Sequence, residues 1–192
     1  TMYGGSITGN KRESGGAGVY MYYGTFNMHG GSITGNTVGS TNAGGGVYVQ
    51  GGTFNMSGNA YISGNSAKYG GGVYVNTATF TMSGNASVSG NSAKYGGGVY
   101  MNDHSRFTMS DKAAITRNTA KTYGGGVHVI DGTFAMESGT ITGNSAGGDN
   151  ALYGSGGGVY VNGGTFNMTG GKITGNNIVI GTGNVEGGGG VN

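Results

Sequence analysis

Charged side chains are scarce in this chain, and they gather in one place. Lys, Arg, Asp and Glu make up only 8% of 192 residues. Yet the stretch MNDHSRFTMSDKAAITRNTAK, 101–121, holds Asp103, His104, Arg106, Asp111, Lys112 and Arg117. Asp103 stands four residues after Val99, and Asp131 four residues after Val127. If those valines occupy equivalent places on stacked strands, the two carboxylates lie about 4.8 Å apart. Such a pair can act as acid and nucleophile in glycoside hydrolysis. The competing reading has Arg106 bridging both carboxylates in a solvated cluster that does no chemistry. No second charged cluster completes a cleft, so the second reading is preferred and no enzyme is expected. Asp103, Asp131 and Arg106 are the residues that any catalysis would use.

Other chemistry finds less support. His128 replaces Tyr in the series Tyr20, Tyr48, Tyr74, Tyr100, Tyr160, while His29 belongs to another column. With no Cys in the chain, neither a metal site nor a disulfide framework is expected. Asp149, in AGGDNALYG, lacks the repeated Gly-Gly-x-Gly-x-Asp of calcium-binding rolls. The phosphate-loop look of GSGGGV, 154–159, fails for want of a following Lys-Ser/Thr and a helix. The Asn-x-Ser/Thr triplets at Asn55, Asn85 and Asn167 are products of the repeat. A net charge of +2 is too small for a nucleic-acid footprint. No apolar run nears the length of a bilayer span, so no membrane insertion by this segment is expected. No cofactor is implied.

What would position any of these residues is a repeat. Val19, Val47, Val73, Val99, Val127, Val159 and Val191 each follow a glycine cluster. A Phe comes seven or eight residues later, at Phe26, Phe54, Phe80, Phe107, Phe134 and Phe166. Then follows Ile7, Ile33, Ile62, Val88, Ile115, Ile141 or Ile173. Three residues on stands Asn10, Asn36, Asn65, Asn91, Asn118, Asn144 or Asn176. A recurrence of this length marks a solenoid. Within each copy VYV, TFNM and SIT alternate with period 2 and are rich in β-branched and aromatic residues. Gly contributes 49 residues, a density no helix tolerates.

The pattern predicts an all-β, right-handed parallel β-helix of about seven turns, with three short strands per turn. Val47, Val49, Phe54, Met56 and Ile62 point inward, and Tyr48, Thr53, Asn55, Tyr61 and Ser63 outward. The Asn column forms an inward ladder of side-chain amides. Glycine columns such as Gly44–Gly46 over Gly70–Gly72 turn the corner with positive φ. The whole of 1–192 reads as one repeat domain. Neither end carries a polar or helical cap, which suggests a slice of a longer array or a subunit that stacks end to end.

The stretches ISGNSAKYGGGVYV, 62–75, and VSGNSAKYGGGVYM, 88–101, resemble the repeats of the chlamydial polymorphic outer membrane proteins and of similar adhesin-like surface proteins. GGGV matches that family's GGA[ILV] element, while ISGN carries Ile or Val where its FxxN element has Phe. The resemblance covers nearly the whole chain. It implies a right-handed β-helical passenger on a cell surface, engaged in adhesion.

The expected function is therefore a structural or adhesive element of an extracellular or cell-surface bacterial or archaeal protein. The column Tyr20, Tyr48, Tyr74, Tyr100, His128 and Tyr160 offers a platform for surface glycans, for a host or cell-surface protein, or for a neighbouring rod. The variable loops at 145–155 and 177–187 add contact surface. Three alternatives stand beside this reading. Uncapped rungs would stack end to end or laterally into fibres. The charged cluster would bind or cleave a polysaccharide. The pairs Ser6/Thr8, Ser32/Thr34, Tyr61/Ser63, Ser87/Ser89, Ala114/Thr116, Thr140/Thr142 and Lys172/Thr174 would present a hydroxyl ladder to ice, though Tyr61 and Lys172 interrupt its flatness.

Overall fold

The turn beginning at Val73 carries four strands rather than the three expected: Val73–Asn76, Thr79–Met82, Ser87–Ser89 and Ser92–Tyr95. The same order recurs along the chain, and each strand pairs in parallel with its counterpart one turn away. The computed structural model describes residues 1–39, 44–147, 155–179 and 188–192, which form an all-β parallel solenoid without a helix. Its four faces are sheets of six, six, seven and seven strands. The parallel solenoid is thus present, but with four strands to the turn, and two of its faces have fewer strands than the expected seven turns require.

Register follows residue type. Val73 pairs with Val99, Phe80 with Phe107, Val88 with Ile115 and Ala93 with Ala120. Each of these inward positions thus stacks on a side chain of its own kind, and a one-residue slip would turn every inward residue out. Val47, Val49, Phe54, Met56 and Ile62 are all fully buried. Burial of each such side chain contributes about 1.5–3 kcal/mol. The phenylalanines form a stack with neighbouring ring centroids 4.6–5.2 Å apart.

The fourth face explains the missed strand. Its inward residues are small, as with Ala93 and Ala120, while Ser92, Lys94, Thr119 and Lys121 face out. Small and polar residues leave no apolar alternation to read. These alanines are buried but lie outside the main core cluster, which the first three faces build. The fourth strand instead lies against the glycine corner. A Cβ on Gly97 would sit 2.5 Å from the Gly125 carbonyl oxygen and 2.6 Å from the Thr119 backbone.

That contact also corrects the expected role of the glycines. Of Gly70–Gly72, only Gly70 has a positive φ, at 58°. Gly44, Gly45 and Gly46 do not have one. Most of the cluster is glycine because neighbouring backbone leaves no room for a Cβ. The inter-strand ladder runs through the corner unbroken: the amides of Gly70, Gly71 and Val73 donate to the carbonyls of Tyr95, Gly96 and Gly98.

The Asn residues close the third corner. Asn91 Nδ2 donates to Asn118 Oδ1 at 3.0 Å and to the Ile62 carbonyl at 3.0 Å. Its Oδ1 accepts from the Asn65 backbone amide and from Asn65 Nδ2, at 3.0 and 2.9 Å. Both donors and both acceptor sites of the amide are used. Side-chain-to-side-chain bonds of the same kind link Asn10 through to Asn176.

Candidate functional site

The extra residue of the fourth repeat decides the geometry of the charged cluster. Met101 still pairs with Val129, and Ser105 with Gly132, so one strand must pass three residues where its neighbour passes two. Asp103 and His104 absorb the surplus in a turn with φ of 50° and 56°. Left-handed backbone is better tolerated by Asp and His than by most residues. The shift brings His104, not Asp103, against Asp131: His104 Nδ1 lies 2.9 Å from Asp131 Oδ2. Arg106 is exposed on its strand between Thr79 and Thr133, so the expected Arg106 bridge between the two carboxylates is replaced by the His104 pair.

This pair has limited chemistry. The His104 side chain is 89% exposed and that of Asp131 38%. Water screens such a pair, and it contributes under about 1 kcal/mol. Ser105 follows His104 directly, but its hydroxyl is buried without a hydrogen-bond partner, so nothing links it to the imidazole. Around the pair lies an open depression lined by Arg106, Thr133, Gly163, Gly164 and Thr165. Among the described residues, no group of three or more His, Asp or Glu side chains is placed to hold a metal ion.

The aromatic column differs more from expectation. Tyr20 is 42% exposed, but Tyr100 is 8% and His128 only 2%. Their rings are covered by a second row that the sequence reading missed, Tyr69, Tyr95 and Tyr123, at the ends of the fourth-face strands. Tyr69 and Tyr95 stack at 5.3 Å with 16° between planes, and Tyr123 lies 4.7 Å from Tyr160 at 14°. His128 sits among Tyr95, Tyr100, Tyr123 and Tyr160, with centroids 4.9–6.1 Å away. The Tyr four or five residues after Asn65, Asn91 and Asn118 (SAKY, SAKY, TAKTY) was the available signal.

Burial sets the ionisation of this corner. It pushes the Tyr74 hydroxyl up to about 12 and raises those of Tyr48, Tyr100 and Tyr160. It lowers the His128 imidazole to about 3, and neither ring nitrogen has a hydrogen-bond partner. His128 is a neutral packing residue rather than an exposed binding group. The ring faces of the double row are spent on one another, which leaves edges and hydroxyls for an outside partner.

No protein-family model, no curated protein and no solved structure matches the chain. The functional reading therefore rests on the geometry of the faces. Many outer residues of the second and third faces are hydroxyls and amides, and several of them bond across turns. Thr34 donates to Thr8 at 3.2 Å, Asn55 to Asn27 at 2.8 Å and Thr81 to Asn55 at 2.7 Å. Of the loops expected to add contact surface, 148–154 and 180–187 lie outside the described residues, as does Asp149. Among the described residues no helix is long and apolar enough to cross a membrane.

Proposed function

We propose that the solenoid, wound right-handed, is a structural and adhesive element of an extracellular or cell-surface protein. Right-handed winding is supported by the strong preference of parallel strand–crossover–strand connections for that hand. The observation that carries the reading is the division of labour between interior and surface. Phe, Asn and aliphatic residues repeat inward from turn to turn in stacked ladders, with exchange there among Val, Ile and Met, while outward positions change chemical class, as at Tyr61, Arg106 and Lys172. Such a rod is a stiff support with changeable faces. The resemblance of its GGGV and ISGN elements to adhesin-like repeats points the same way.

The test has two arms. Antibody raised against the purified rod should label intact source cells as strongly as permeabilised ones. Beads coated with the rod should be retained on surfaces bearing immobilised glycans or cell-surface proteins more than uncoated beads are. Labelling only after permeabilisation, or equal retention of coated and bare beads, would overturn the proposal.

A further inference from the structure

The fourth face gathers cations. Lys68, Lys94 and Lys121 occupy neighbouring strands of one sheet, each directly after its inward alanine, at about 4.8 Å per strand. Lys11 and Arg12 lie on the first strand of the same sheet. Five of the chain's nine Lys and Arg residues thus lie on strands of one sheet, with Lys68, Lys94 and Lys121 in a single outward column. Among the described residues, Lys68, Lys94 and Lys121 form no ion pair with a carboxylate. Like charges on adjacent strands repel, so the row is a cost to the fold that an anionic partner would relieve.

The face is shaped as well as charged. A shallow groove runs along it, lined by Val38, Ser66, Lys68, Ser92, Lys94 and Lys121, and at Gly39 it meets a second depression lined by Lys11, Arg12 and Glu13. Its border is the Tyr69–Tyr95–Tyr123 row. Lys68 Nζ lies 4.9 Å from the Tyr69 ring centroid, and Lys94 Nζ 5.3 Å from that of Tyr95. A bulge between Ala93 and Tyr95 and their partners in the next turn tucks Thr122 inward, while Lys121 stays exposed.

We infer that this groove binds a linear, carboxylate-bearing polysaccharide running along the rod axis. A pyranose unit is about as long as one rung, so a chain laid along the axis keeps pace with the lysine row and presents the carboxylates of its near side to it. The tyrosine edges and the Ser66 and Ser92 hydroxyls then supply partners for sugar hydroxyls. A single-stranded nucleic acid fits less well, because its affinity comes from bases stacking on free aromatic faces. Here the faces are closed: Tyr69 and Tyr95 are stacked at 5.3 Å, leaving no room for a base between them.

The inference rests on the reading of the rod as a contact element, and the experiment separates the two. Immobilised polygalacturonate, neutral dextran and oligo-dT would be compared as probes for the wild type and for Lys68→Gln/Lys94→Gln/Lys121→Gln. Lys112→Gln/Lys172→Gln, off this face, serves as the charge control, and circular dichroism checks each fold. Wild type should prefer polygalacturonate, with affinity falling about tenfold between 50 and 200 mM salt. The triple variant should lose about tenfold and the control variant little. Unchanged binding by the triple variant, or tighter binding to oligo-dT, would overturn the inference while leaving the adhesive reading standing. Retention on neither polysaccharide nor on the other immobilised surfaces would overturn both.

Discussion

Acid should unfold this rod through His128. Its folded-state pKa is lowered to about 3 by burial, against an ordinary value near 6.5. A depressed pKa on a base means that the native state binds fewer protons than the unfolded chain. Stability from the neutral ring is fully present above about pH 6.5 and drains away as pH falls towards 3. Between pH 7 and pH 4 that is about 2.5 pH units at 1.36 kcal/mol each, or roughly 3 kcal/mol. The rings packed around His128 are Tyr95, Tyr100, Tyr123 and Tyr160, and burial is the only influence on its ionisation, so nothing offsets the loss. Urea unfolding at pH 7, 5.5 and 4 would be compared for wild type and His128→Tyr, which restores the residue common to the column. Wild type should lose about 3 kcal/mol more than the variant over that interval. A pH dependence identical in the two proteins would refute the reasoning.

Two further predictions concern the interior. Asn91→Leu strips the Asn65 backbone amide and Asn65 Nδ2 of their shared acceptor and takes one of two donors from Asn118 Oδ1, the backbone amide at position 91 remaining, so about 3 kcal/mol or more should be lost in thermal or chemical unfolding. Asn55→Ala, in the half-buried outer ladder, should cost under about 1 kcal/mol, and equal costs for the two would contradict the account. Gly97→Ala drives a methyl into backbone of the next turn and should abolish cooperative folding in limited-proteolysis assays. Gly90→Ala meets nothing within 4 Å and suffers only from its φ of 62°, so a cost of about 1 kcal/mol is expected there.

How much of this was readable from residues alone varies by face. Val, Phe and Ile at fixed spacing identified the three faces that enclose the core, because bulky residues alternating with polar ones leave a period-2 trace. The Asn column could be placed because it never varied. The fourth strand was invisible since Ala67 and Ala93 carry no such trace, and their neighbours resemble loop residues. The His104–Asp131 pair was misassigned to Asp103 and Arg106 because counting residues from Val99 ignored where the surplus residue would be absorbed. That choice depends on which residues accept a left-handed backbone, a local property that spacing does not encode. The burial of His128 needed the second tyrosine row, which lies on the strand that went unseen.

The asparagine ladder has a direction. From Asn10 to Asn144 each side-chain nitrogen gives one bond to the side-chain oxygen of the following turn, so the amide dipoles point the same way along the axis. Aligned in series, such bonds polarise one another and strengthen the line they form. A turn inserted the right way round extends the line, whatever its outer residues; one inverted end for end would set oxygen against oxygen. The interior therefore acts as a one-way thread. Whole repeats can be gained or lost by duplication and deletion, each new turn inheriting its polarity from the one before, while the outer surface drifts freely.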